Sequence, residues 1–229
     1  MFKILKKCKS IYVIFILILL LSCLYFNIVK SVSSKRNGIC IVLDAGHGGR
    51  DGGCVGINGS VEKDLNLKYT LKLKEKLVGY GYKIVLTRAN DNGLYNPLVG
   101  NKKVSDMNAR MKKIKEANPN LVVSIHMNSF ADKNVCGANC FYKIDDEASF
   151  NCANLIQKSL FEQCGVRSES AKKGDYFMLN CSYYTSVLIE CGFLSNPEEE
   201  QKLNTEEYIE EFTSAVADGI LLYFGENFI

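Results

Sequence analysis

The chain of 229 residues has only two histidines, and each stands just past a short apolar run rich in β-branched residues. His47 follows residues 39–44 in Ile41-Val-Leu-Asp-Ala-Gly-His47, and His126 closes Leu121-Val-Val-Ser-Ile-His126. A third run, residues 186–190, ends in a carboxylate, Glu190. Metal-competent side chains at strand ends are what an open α/β sheet presents along its carboxyl edge. A catalytic zinc takes three protein ligands from His, Cys or carboxylate and keeps one position for water. His47 and His126 supply two, and Glu62, opening a predicted helix fifteen residues after His47, is the candidate third. Glu190 is then left to move protons beside a metal that polarises a carbonyl. Such a set suits hydrolysis of an amide.

Plainer roles exist for each residue. A histidine at a strand end can be structural, Glu62 can complement a helix dipole in its first turn, and Glu190 can cap a helix or pair with a cation. Together these roles require two histidines and two acids to reach one sheet edge by coincidence. Cys191 beside Glu190 offers a thiol nucleophile for a Cys–His pair. Strand alternation turns it away from Glu190, toward the core.

The elements that position these side chains alternate. Strands are predicted over residues 39–44, 82–87, 121–125, 138–143, 176–179 and 186–190. Helices are predicted over 62–80, with Leu65, Tyr69, Leu73 and Leu77 on one face, and over 105–117, with Met107, Met111 and Ile114. Ala153, Ile156, Leu160 and Cys164 mark another helix, and Ile209, Phe212, Val216, Ile220 and Tyr223 the closing one. The alternation implies βαβ units and an α/β fold: a twisted, largely parallel sheet of about six strands with helices on both faces. Pro97, Pro119 and Pro197 fall between the elements. The glycine-rich loop 48–61 and the loop 89–104 both leave strand ends at one edge and should flank the site. The glycine loop lacks the residue order of a phosphate loop.

Composition, 47% hydrophobic and 23% charged, fits a single catalytic domain over residues 39–229, preceded by a polar linker at 30–38. Residues 1–29 read as a membrane anchor or signal segment. Lys3, Lys6, Lys7 and Lys9 precede an apolar run at 11–29, about the length that spans a bilayer. The lysines favour a cytoplasmic start with the domain outside. A cleaved signal peptide and a lipoprotein-type cysteine in Leu20-Leu-Ser-Cys23 are the alternatives, and all three export the domain. The first 37 residues carry seven Lys or Arg and no acid, leaving 21 bases against 25 acids, a net charge of −4. That excludes a nucleic-acid footprint. Of the ten cysteines, Cys40, Cys181 and Cys191 sit in apolar runs as core residues, and Cys136 and Cys140 form the one pair close enough to bridge.

Four segments then carry a resemblance: Asp44-Ala-Gly-His-Gly-Gly49, Val61-Glu-Lys-Asp-Leu-Asn66, Ser124-Ile-His-Met-Asn-Ser129 and Glu190-Cys-Gly-Phe-Leu-Ser-Asn196. With Thr87-Arg88 and Met107-Asn-Ala-Arg110 between them, they resemble the zinc-dependent N-acetylmuramoyl-L-alanine amidases of bacterial cell walls, over nearly all of residues 39–224. The resemblance implies Zn2+ on His47, Glu62 and His126, Glu190 as the catalytic carboxylate, and Asn128, Arg88 and Arg110 at the substrate. The bond cut would be the amide between the lactyl group of N-acetylmuramic acid and L-alanine of the stem peptide. Cys54 and Cys191 depart from the small or β-branched residues usual in the family, a matter of packing. His126 lies too close to the strand at Ala138 for the regulatory plug helix of some cell-division members. The short form is most similar to the germination-type spore-cortex amidases of endospore formers, which free stem peptides so that muramic-δ-lactam can form. Expected partners are the glycan-peptide substrate and an exported activator protein. The expected place is outside the cytoplasm, anchored facing outward or secreted into the wall or the forespore intermembrane space. The alternatives are a vegetative autolysin, a peptidase of the same chemistry, and a non-catalytic peptidoglycan-binding protein of the same fold.

Overall fold

The computed structural model describes residues 15–22, 38–180 and 183–226. Residues 15–22 form a helix, α1, inside the apolar run; the remainder of the expected anchor lies outside the described residues. Among the described residues no helix is long and apolar enough to cross a membrane.

Among the described residues six strands form one sheet, in the order β2-β1-β3-β6-β4-β5. They are β1 (Cys40–Ala45), β2 (Lys83–Leu86), β3 (Leu121–Asn128), β4 (Asn139–Tyr142), β5 (Lys172–Lys173) and β6 (Ser186–Phe193). β2, β1, β3 and β6 run parallel, while β4 is antiparallel to β6 and carries β5 on its other edge. Chain order reverses at the β1–β3 pair, because β2 lies on one side of β1 and β3 on the other. Such a reversal opens a crevice beyond the carboxyl ends of the two strands. The segments carrying His47 and His126 both leave through it.

One face of the sheet is covered by α2 (Glu62–Gly79), α4 (Glu147–Cys164) and α7 (Glu206–Glu226). Leu65, Tyr69, Leu73 and Leu77 of α2 are all buried there, as their i+4 spacing requires. The other face is smaller. There Val42 and Val122 of the sheet pack with Ile114 of α3 (Lys102–Ala117) and Met178 of α5 (Phe177–Asn180).

The structure corrects several expectations. Residues 176–179 are not a strand: Leu179 and Asn180 donate backbone hydrogen bonds to Tyr176, and Met178 and Leu179 are both buried. Consecutive inward side chains suit a helical turn and defeat strand alternation. Pro197 does not lie between elements but opens a further helix, α6 (Pro197–Leu203), where its missing N–H is no loss. Asn196 caps that helix through bonds from Glu198 and Glu199. α3 begins three residues early because the Asn101 side chain accepts from Val104 N–H. Cys136 and Cys140 do not bridge; both are free, Cys140 packed in the core and Cys136 half-buried.

Candidate metal centre

The site begins where β1 ends. His47 sits at φ 60°, in the left-handed region, so the turn needs external support. Two buried guanidiniums provide it. Arg88 donates to the carbonyls of Ala45 at 2.9 Å and Gly46 at 3.0 Å. Arg110 donates to Ala45 at 2.8 Å and to the carbonyl of His47. Three successive carbonyls are thus pinned, which aims the His47 ring. Gly46 is required for a separate reason: a methyl group there would collide with the ring of His126.

Glu62 is the first residue of α2 and is buried. Its Oε1 lies 3.1 Å from Nε2 of His47 and 3.0 Å from Nδ1 of His126. The same oxygen accepts from Asn66 Nδ2 at 3.2 Å and from Met127 N at 3.3 Å, and Oε2 accepts from Cys54 N at 2.9 Å. Gly53, at φ 68°, lets the loop fold against this carboxylate, because a Cβ there would strike it. Burial alone would raise the Glu62 pKa, but the hydrogen bonds and positive character of the two imidazoles more than reverse this and hold it far below normal. Burial lowers the pKa of His47, but the Glu62 and Asp51 carboxylates together outweigh it, and the pKa ends above its ordinary value.

One ligand atom from each of His47, Glu62 and His126 falls within 4.8 Å of the others. Two imidazoles and a carboxylate facing one point fit a divalent metal of the zinc type. Asp51 Oδ2 stands 2.9 Å from His47 Nδ1, without the geometry of a directed hydrogen bond, so it leaves Nε2 to face the metal position.

Glu190 is placed by strand pairing. It is the register partner of His126 on the adjacent strand, and it is buried at 7% exposure. Its Oε2 has no hydrogen-bond partner among the described residues. Burial pushes its pKa up to about 7, with the imidazoles opposing that rise and Glu62 adding to it. A carboxyl poised near neutrality can both take and give a proton.

Beneath the turn lies a polar knot. Asp44 Oδ1 accepts from Thr87 Oγ1 at 2.7 Å and Arg110 Nη1 at 2.6 Å, and Oδ2 from Ser124 Oγ at 2.7 Å. Burial opposes ionisation of Asp44, yet Arg110 and the two hydroxyls overcome it and bring the pKa down to about 2. Arg110 Nε also meets Asp106 at 2.6 Å.

Of the six residues expected at metal or substrate beyond Glu190, the structure brings together His47, Glu62 and His126. It places Arg88 and Arg110 beneath the site, their donors taken by carbonyls and carboxylates. Asn128 ends β3, where its side chain accepts from Ser129 N at 2.8 Å. Arg110, with Gly46, His47 and His126, also lines a cleft of about 470 Å3 that opens between α3 and α5.

The family model for N-acetylmuramoyl-L-alanine amidases matches residues 41–221. The chain belongs to this amidase family. It is 34% identical over 203 residues to the germination-specific N-acetylmuramoyl-L-alanine amidase of Bacillus subtilis, covering 86% of this chain and 85% of that one. Among solved structures, the CwlD amidase of Clostridioides difficile, in complex with the GerS lipoprotein, superposes with a TM-score of 0.76 at 36% identity. That match covers 82% of this chain and all of that one. The catalytic domain of the CwlV amidase of Bacillus (Paenibacillus) polymyxa var. colistinus gives 0.73 at 31% identity, over 82% of this chain and 98% of its own. The activity is the family's: hydrolysis of the amide joining the muramic acid lactyl group to L-alanine of the stem peptide.

Several working residues of this amidase escaped the sequence reading. Asn66 orients Glu62 from the next turn of α2, and their i,i+4 spacing was the available signal. Asp51 backs His47 from four residues on. Glu200, buried on α6, holds the far end of the glycine loop through Asn58 N at 2.7 Å and Ser60 N at 3.0 Å. No spacing in the sequence announces that contact.

Proposed function

We propose that the metal is zinc, held by His47, Glu62 and His126, with Glu190 as the proton-carrying group. The single observation carrying this is the meeting of the three donors around one point beside a buried carboxylate with a free oxygen. Zinc, when bound there, supplies a Lewis acid that polarises the amide carbonyl and acidifies water. The chain's own residues do the rest. Glu62 and Asn66 fix the donor geometry, Arg88 and Arg110 hold the His47 turn, and Glu190 Oε2 accepts a proton from the attacking water. Glu190 then delivers that proton to the nitrogen of L-alanine as the carbon–nitrogen bond breaks. Its pKa near 7 suits both transfers.

We further propose that the enzyme works outside the cytoplasm, exported by its N-terminal segment, on spore-cortex peptidoglycan. The support is the likeness to a germination-specific amidase over most of both chains, and to the CwlD amidase of Clostridioides difficile. That neighbour is bound to a lipoprotein, so an exported activator protein is part of the proposal. The test is to delete the gene and complement it with wild type or Glu190→Gln. Mutant and Glu190→Gln spores should lack muramic-δ-lactam in their cortex and germinate poorly. Normal cortex with altered vegetative wall would instead favour a vegetative autolysin.

A further inference from the structure

We propose that Arg50, Lys102 and Lys103 form a carboxylate-reading wall that makes this enzyme selective for acidic stem peptides. The inference rests on the amidase reading of the adjoining centre. The cleft over His47 and His126 is lined by Arg50, Tyr95, Lys102 and Lys103 from the glycine loop, the loop 89–104 and the start of α3, and by Tyr176, Phe177 and Met178 at α5 with Leu188 of β6. None of the three cations forms an ion pair among the described residues. Of the carboxylates that share the cleft, Asp44 and Asp106 are held by Arg110, while Asp51 stands beside His47 and within electrostatic reach of Lys103. Lys102 has only the Tyr95 ring, 5.8 Å from its ammonium. The cations also stand against two adverse backgrounds. Residues 38–229 are net acidic, and α3 opens on Lys102 and Lys103 with no acid in its first turn, where the helix dipole disfavours positive charge. An anionic ligand in the cleft relieves both.

The substrate supplies such an anion on one side of the scissile bond only. The glycan side is neutral, and it fits the apolar wall of Tyr176 and Phe177. The peptide side continues from L-alanine into an acidic residue, whose carboxylate is free or amidated according to the wall. The basic wall therefore takes the peptide and sets its direction across the metal centre. It discriminates the carboxylate from the carboxamide by charge, with on-rate and KM carrying most of the effect.

Two synthetic muramoyl peptides, identical except for carboxylate or carboxamide at the second stem residue, test this with the zinc-loaded full chain. Wild type should prefer the carboxylate by about tenfold in kcat/KM at low salt, and the preference should shrink as salt rises. In R50Q/K102Q/K103Q the ratio should fall to near one through KM. The exposed single change Lys103→Gln should lower it about threefold, which covers misfolding of the triple variant. Calorimetry with the free carboxylate peptide, a product, should show binding to wild type and its loss in the triple variant, independently of turnover. Equal rates on both substrates, or an unchanged ratio in the variants, overturns the wall while leaving the amidase reading intact. Should wild type alone cleave neither substrate, as dependence on an exported activator allows, equal binding of the carboxylate peptide by wild type and the triple variant overturns the wall.

Discussion

His126 and Glu190 are register partners on the parallel strands β3 and β6, and strand alternation puts their side chains on one face of the sheet. Their surroundings then divide them. His126 meets the Glu62 carboxylate at 3.0 Å, whereas Glu190 is buried with an oxygen that no described residue satisfies. Two neighbouring positions thus become a metal donor and a proton carrier.

The state of Glu190 is open to measurement in the metal-free protein. Its folded pKa, raised by burial to about 7, lies above the ordinary value of 4.5. Its burial is therefore harmless below about pH 4.5, and the penalty grows as pH rises toward 7, reaching up to about 3 kcal/mol. Urea unfolding of metal-free Glu190→Gln and wild type should show the variant more stable at pH 8 and nearly level at pH 5. A difference that does not change with pH would contradict the raised pKa.

Asp44 has the opposite dependence. Burial disfavours its charge, but Arg110 and two hydroxyls bring its pKa to about 2, below the ordinary 3.8. The stabilisation is complete above about pH 4 and is lost as pH falls toward 2, amounting to about 2 kcal/mol. Arg110→Met strands this carboxylate in the interior and should cost about 3–5 kcal/mol at pH 7 in chemical denaturation. A loss under 1 kcal/mol would show that the knot is not what holds the turn.

Gly46 gives a steric test. Gly46→Ala should leave a folded chain with normal circular dichroism and little bound zinc, because the added methyl displaces the His126 ring. Wild-type zinc affinity in this variant would refute the close approach.

Residues behind the donors should matter less than the donors but measurably. Asp51→Ala and Asn66→Ala should each weaken zinc affinity about 10–100-fold in chelator competition, with the fold retained. Affinity unchanged in both would mean that the donors orient themselves.

How much of this was legible in the sequence depended on periodicity and rarity. The α2 stripe of Leu65, Tyr69, Leu73 and Leu77 runs for about three turns and read clearly, as did the strand cores. His47 and His126 stood out because the chain has no other histidines. Short elements did not read: α5 and β5 have four and two residues, too few for any period. Arg88 and Arg110 were located but their direction was not, since a guanidinium's targets are fixed by tertiary contacts. Here those targets are the carbonyls of residues 45–47.

The most direct test of the central claim pairs two readouts on one variant. Wild type and Glu190→Gln, as full chains, are assayed for bound zinc and for release of stem peptides with a new L-alanine amino terminus from peptidoglycan. Both should hold one zinc, and the variant should release peptide at least about 100-fold more slowly. A variant with zinc bound and wild-type turnover would remove Glu190 from the chemistry, and a wild type that is active without zinc would remove the metal.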